Sequence, residues 1–264
     1  MMKLPVYFID AFTSAPFKGN PAVVVPLEYW LPSDVMQSIA TENNQSETAF
    51  FVKDPDGKFH IRWFSPLKEI AFCGHATLAS AFVIFKSSDT GSVITFRAGA
   101  VGDLPVTRLA DGRIQMSFPN RAPVRVENIP AALMEGLPIR PVDVLQNQQA
   151  YFAVYETEQQ VRELVPDLTK LAKLGPLDVT VTARGDKHDF VSRYFWPANG
   201  GAEDPVTGSI HAGLAPYWAS KLDKTELVAM QVSRRTGLLN CRVEGERVYI
   251  SGSGVQYLEG TIEV

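Results

Sequence analysis

The chain has 264 residues, 45% hydrophobic and 20% charged, ordinary globular values that exclude a fibrous or intrinsically disordered class. Its length exceeds one typical core and suits two domains of about 130 residues. A formal net charge of −4 argues against nucleic acid or an anionic membrane as the main partner, and the longest apolar run, residues 76–85, falls short of the ~20 residues a spanning helix needs.

In chain order, short β-branched or aromatic runs bounded by Gly, Pro, Asp or Asn predict strands over residues 6–10, 22–25, 48–52, 59–64, 93–96 and 114–118. Two helices are predicted among them. One covers residues 32–42, capped by Ser33 with Asp34 in its first turn. The other, residues 75–86, is apolar almost all round, the mark of a buried helix. A curved sheet wrapped on that helix is the natural packing. After a Pro-rich connection over residues 119–141, the second half predicts strands over 142–145, 151–154, 179–183, 190–195, 228–233, 238–243 and 248–250, with helices over 158–173 and 207–221. The N-terminus has no basic, apolar leader, since Asp10 interrupts it early, so the expected location is cytoplasmic, with Cys73 and Cys241 kept as thiols.

One device occurs twice. Arg62-Trp63-Phe64-Ser65-Pro66 leads through Cys73-Gly74-His75 into an apolar helix, and Arg193-Tyr194-Phe195-Trp196-Pro197 leads through Asp204-Pro205-Val206-Thr207-Gly208-Ser209 into another. The offset between the arginines (193 − 62 = 131) and that between the glycines (208 − 74 = 134) are each near half the chain. Two copies of one fold follow, and their helix N-termini offer unpaired N–H groups suited to anions, as a bipolar carboxylate clamp.

Four side chains near these turns bear on chemistry. Glu47 precedes an apolar strand and reads either as a solvated turn carboxylate or as a general acid/base at the mouth of a cleft. Asp204-Pro205 reads as a helix start or as a ligand contact, with Gly208-Ser209 allowing close approach to backbone N–H groups. His75 is a core or capping histidine or a proton relay, because imidazole titrates near neutral pH. Cys73 is a small buried hydrophobe or an activated thiol. The four histidines show no metal-ligand spacing, and P-loop, dinucleotide and nucleophile-elbow motifs are missing, so a reaction with no metal and no cofactor is the simplest inference.

Taken with Val6-Tyr7-Phe8-Ile9-Asp10-Ala11-Phe12, Phe17-Lys18-Gly19-Asn20-Pro21 and Ser46-Glu47-Thr48-Ala49-Phe50, the motifs Cys73-Gly74-His75-Ala76-Thr77 and Glu203-Asp204-Pro205-Val206-Thr207-Gly208-Ser209 resemble the phenazine-biosynthesis F-type family over essentially the whole chain. The resemblance implies an α+β, diaminopimelate-epimerase-like fold with two pseudo-symmetric domains, residues 1–120 (completed by a strand near 255–264) and 121–254. Each is a curved or barrel-like, mostly antiparallel sheet around a central helix, with the active site in the cleft between them. It further implies a homodimer and a cofactor-free isomerisation like that of dihydro-3-hydroxyanthranilate. Glu47, His75 and Asp204 would be catalytic, and Asn20, Gly74, Gly208 and Ser209 would bind a small carboxylated, amino-bearing substrate. The related epimerases use a thiol on each side of the substrate. Here only Cys73 occupies such a place, with Val206 near the other. A single-carboxylate isomerase is the leading expectation; a catalytically silent metabolite-binding protein and a Cys73-dependent racemase or epimerase are the alternatives.

Overall fold

The computed structural model describes residues 1–88 and 90–264. It has the α+β class, with strands predominating and six α-helices among the described residues. The chain divides into two compact units, residues 1–117 with 251–264, and residues 118–250.

In the first unit Lys3–Ala11 lies between two antiparallel neighbours, Asn20–Leu27 and Gly254–Glu263. Asn20–Leu27 is parallel to Glu47–Lys53, which runs antiparallel to Phe59–Phe64. Phe59–Phe64 then pairs with the short Glu69–Ile70 and, in parallel, with Val93–Ala98, and antiparallel strands Gly102–Arg108 and Ile114–Pro119 follow. Two helices pack on this sheet. Helix α1 (Ser33–Asn43) buries Met36, Ile39 and Ala40, a single stripe at helical spacing that joins a core with Val23, Val25 and Leu27. Helix α2 (Gly74–Ser87) buries 11 of its 14 residues and lies against Lys3–Ala11, Asn20–Leu27 and Glu47–Lys53. Along Asn20–Leu27, Val23 and Val25 therefore face α1, while Ala22 and Val24, also fully buried, point to the other face. A strand buried on both faces is what a parallel pairing covered by helices demands.

The second unit runs through the same order. Val124–Arg125 pairs with Asp143–Gln146, which is antiparallel to Ala150–Val154. Ala150–Val154 is parallel to Asp178–Arg184, itself antiparallel to Phe190–Phe195. Phe190–Phe195 pairs with the short Glu203–Asp204 and, in parallel, with Glu226–Gln231, which is antiparallel to Gly237–Glu244. The small α3 (Ala131–Gly136), α4 (Glu158–Glu163) and α5 (Leu168–Leu171) share one core with Val144, Val179 and Val181. Helix α6 (His211–Leu222) packs on Glu226–Gln231 and Gly237–Glu244.

Three helix boundaries differ from the sequence reading. Ser33 does not cap α1: the capping position is Pro32, and the Ser33 hydroxyl accepts from Arg62 Nη2 at 2.9 Å. The helix expected over 158–173 breaks into α4, α5 and a 3-10 turn, because Pro166 removes a backbone donor between them and Asp167 caps α5 afresh. The helix expected from residue 207 becomes regular only at His211. Residues 207–210 lead in through tighter turns, with His211 N–H on Gly208 O at 3.1 Å and Ala212 N–H on Ser209 O at 3.1 Å.

The duplicated arginines hold each copy together. Arg62 grips Glu69 through two bonds of 2.7 Å, and Arg193 grips Glu203 at 2.8 and 2.9 Å. Each guanidinium lies over the phenylalanine two positions on, 5.1 Å from the Phe64 ring and 4.9 Å from Phe195. Each also reaches a helix end, Ser33 at the start of α1 and the carbonyls of Val161, Arg162 and Leu164 at the end of α4. The arginines pin the strand, short return strand and outer helix of each unit to one another; the positive charge is spent on carboxylates of the chain itself.

Candidate active site

In the first unit, parallel pairing sets Glu47 opposite Ala22 at the head of its strand, beside Asn20. The turn at Cys73 feeds α2, so Gly74 and His75 open that helix. Thr77 Oγ1 donates to Cys73 O at 2.6 Å and Ser80 Oγ to Ala76 O at 2.8 Å, which satisfies both hydroxyls inside this buried helix and fixes its first turn. Glu47, Cys73 and His75 are each more than nine-tenths buried.

These elements bring four side chains together. Glu47 Oε2 is 3.0 Å from His75 Nε2. That oxygen nevertheless has no aligned hydrogen bond, so the contact is a close charge pair off the N–H direction, and the carboxylate is enclosed without being tied down. Asn20 Nδ2 is 3.1 Å from His75 Nδ1, and Ser46 Oγ donates to Asn20 Oδ1 at 3.4 Å. Cys73 Sγ is 3.4 Å from Nδ1 and 4.0 Å from Nε2.

Burial pushes the Cys73 thiol up to about 11, with the Glu47 carboxylate adding to it and His75 opposing, so Cys73 is a thiol at neutral pH. For His75 burial opposes the charged form, but the Cys73 sulfur and the Glu47 carboxylate outweigh it and raise the imidazole well above its usual range. With the thiol protonated, the group left to favour a charged ring is the Glu47 carboxylate, 3.0 Å from Nε2. A buried carboxylate beside a buried imidazole can take a proton and return it with little solvent rearrangement.

The second unit places Asp204, Gly208 and Ser209 in a network of its own. Thr207 Oγ1 donates to Asp204 Oδ2 at 2.5 Å. The fully buried Gln231 donates to Asp204 O at 2.7 Å and accepts from Thr207 N–H at 2.8 Å, while Ser233 Oγ holds Pro205 O at 2.7 Å. Further along, Gln149 Nε2 donates to Ser209 Oγ at 2.9 Å and lies 3.2 Å from Tyr194 Oη, which donates to Asp178 Oδ2 at 2.6 Å. Burial raises Asp178, and Tyr194 and Asn199 work against it.

Counting along the chain shows what has diverged between the copies. Glu47 heads the strand parallel to Asn20–Leu27, and Asp178 heads the strand parallel to Ala150–Val154, at the same offset as the arginines (178 − 47 = 131). Glu69 and Glu203 repeat the offset of the glycines (203 − 69 = 134) across the short return strands. By that second offset Thr207, not Val206, is the counterpart of Cys73, and Ser209 that of His75. Asp178 is thus Glu47's counterpart but is closed off by Tyr194 and Asn199 at 2.6 and 2.7 Å. Sequence reading missed Gln231, Gln149 and Asp178; only the offset that Asp178 and Glu47 share with the arginines was a usable signal.

Residues 9–260 match the family described as phenazine biosynthesis-like protein. An uncharacterized isomerase of Pseudomonas aeruginosa is 48% identical, with all of both chains covered. The crystal structure of a phenazine biosynthesis protein of the PhzF family from Enterococcus faecalis superposes with a TM-score of 0.95 at 42% identity, again over 100% of each chain. A hydroxyproline epimerase from Agrobacterium vitis shares the fold alone, at TM-score 0.60 and 10% identity over 98% of this chain and 92% of that one.

Proposed function

The chain belongs to the phenazine biosynthesis-like protein family, and from that premise we propose that it is an isomerase in which Glu47 moves a proton on a small carboxylated, amino-bearing metabolite, needing no cofactor. The observation that carries this reading is the Glu47 carboxylate, 8% exposed, close to His75 yet with Oε2 outside any aligned hydrogen bond. In the proposed step Glu47 takes a proton from one carbon of a conjugated system, the electron pair shifts through that system, and the same carboxyl returns the proton to another carbon. Atoms balance with nothing gained or lost. His75 steadies the carboxylate while it is charged, and Asn20 fixes the ring. The thiol character of Cys73 supports the single-carboxylate route over a thiolate base.

Asp204 is proposed, on the family resemblance, to hold an amine or hydroxyl of the substrate, and Ser209 with the N–H groups near Gly74 and Gly208 to bind its carboxylate. The Ser209 oxygen accepts from Gln149, which leaves its hydrogen available as a donor. The test is incorporation of solvent deuterium into a panel of amino-bearing cyclic and unsaturated carboxylic acids, dihydro-3-hydroxyanthranilate included. Glu47→Gln should lower exchange by about 10²–10⁴-fold on any acid that the unaltered protein labels. Exchange retained in Glu47→Gln sinks the assignment. Asp204→Asn and Ser209→Ala should raise KM more than they lower kcat.

A further inference from the structure

Among the described residues one group of mixed donors converges closely enough to hold a metal: Glu47, Cys73 and His75, whose ligand atoms all lie within 4.8 Å of one another. We propose that these three side chains bind a borderline-soft divalent cation of the Zn²⁺ class through a Glu47 carboxylate oxygen, Cys73 Sγ and His75 Nε2, with one coordination position left open.

The donor chemistry selects the metal. Thiolate, imidazole and carboxylate together suit Zn²⁺ and Co²⁺ and disfavour Mg²⁺ or Ca²⁺, which require oxygen. The spacing agrees, since Nε2 is 3.0 Å from Glu47 Oε2 and 4.0 Å from Cys73 Sγ. Ligands about 2.0–2.3 Å from one ion stand about 3–4 Å apart. The charge agrees too. A thiolate and a carboxylate cancel a divalent cation, so a pocket that is more than nine-tenths buried carries no net charge once filled. Independently of the donor set, Glu47 Oε2 is a buried oxygen with no aligned hydrogen-bond partner, the group that a cation would satisfy.

The site is held by backbone already in place. Two donors come from the start of α2, which Thr77 and Ser80 fasten, and the third from the head of a strand in parallel pairing. Asn20, whose Nδ2 lies 3.1 Å from Nδ1, touches the ring nitrogen that the ligand set leaves free. The corresponding residues of the second unit, Asp178, Thr207 and Ser209, include neither thiol nor imidazole, so the site is confined to one copy of the repeat. The cation would occupy the same carboxylate as the proton in the isomerase reading, which makes it an inhibitor there. Binding itself does not rest on that reading and is measured without substrate.

The test is titration of the purified full chain, stripped by chelator, with Co²⁺ alone. A sulfur-to-cobalt charge-transfer band should grow to saturation at a single equivalent and be displaced by Zn²⁺. Cys73→Ser should abolish the band and weaken Zn²⁺ by more than the ~10–100-fold that loss of an outer-shell partner costs. Glu47→Gln should keep the band and weaken affinity, and Cys241→Ser should change nothing. No band in unaltered protein that circular dichroism shows to be folded, or a band that survives Cys73→Ser, overturns the proposal. Failure of the deuterium test on Glu47→Gln would leave this result standing, and the reverse.

Discussion

The two arginine staples are the same device at different depths, and that difference sets a measurable asymmetry. Arg193→Met strips Glu203 of both its bonds and leaves the carbonyls of Val161, Arg162 and Leu164 without their donor. The pair is sheltered, with side-chain exposures of 13% and 23%. Breaking one member of a buried pair costs about 3–5 kcal/mol, and the residual exposure of Glu203 argues for the lower end, about 3. Arg62 and Glu69 stand at 27% and 44% exposure, where water screens the pair and the loss is about 1 kcal/mol or less. At this chain size each kcal/mol moves Tm by about 2–4 °C, so Arg193→Met should melt roughly 6–12 °C below the unaltered protein and Arg62→Met at most roughly 2–4 °C below. Thermal melts followed by circular dichroism at pH 7 measure both. Glu203→Gln and Glu69→Gln complete double-mutant cycles whose coupling should be larger in the second unit. An Arg62→Met variant that melts at or below Arg193→Met would refute the argument that the more deeply buried staple is worth more.

The two buried histidines should titrate in opposite senses. Burial lowers His211 to about 4, so at pH 7 its nitrogen NMR signals should report a neutral ring, whereas His75 should hold its second proton to higher pH than a free imidazole. Because an unfolded histidine gains its proton near pH 6.5 and folded His211 does not until about 4, stability should fall as pH drops across that window, by up to about 1.4 kcal/mol per pH unit. His211→Gln should flatten the slope between pH 6.5 and 5; an unchanged slope would remove His211 as its source. For His75 the sign reverses: its contribution is whole below about pH 6.5 and is lost as pH rises through its raised folded value. Burial pushes Cys73 up to about 11 and Cys241 up to about 12, so native protein at pH 8 should react slowly with a disulfide reagent, and unfolded protein should release two thiols at once. A fast native thiol would contradict that burial.

Much of the fold was legible because its signals are local. The apolar, all-round pattern of residues 75–86 announced the buried α2, and the paired half-chain offsets of the arginines and glycines announced the duplication. What failed was boundary chemistry: Ser33 resembles a cap but is held by Arg62, and Pro166 divides a stretch whose composition is otherwise helical. The site was half legible. Glu47 and His75 stood out singly, yet their meeting at 3.0 Å depends on the pairing of Ala22 with Glu47, which joins segments separated by the whole of α1 and leaves no periodic trace. Histidine spacing likewise gave no hint of a donor cluster that takes one ligand from a strand and two from a helix start. Gln231 and Gln149 were invisible because a buried amide shows its worth only through what it touches.

The first unit is interrupted: its N-terminal strand, Lys3–Ala11, takes as one neighbour Gly254–Glu263, from the opposite end of the sequence. On a ribosome, residues 1–117 are therefore made with that edge of the sheet open, and it stays open while the whole of the other unit, residues 118–250, is translated. At ordinary elongation speeds that is a wait of roughly 7–27 s. A strand that carries Val6, Phe8 and Ile9 with one edge open is a template for pairing with the wrong chain during that interval. The contiguous unit has no such dependence and can mature first, leaving the unit that carries Glu47 and His75 to be closed by a strand made after both.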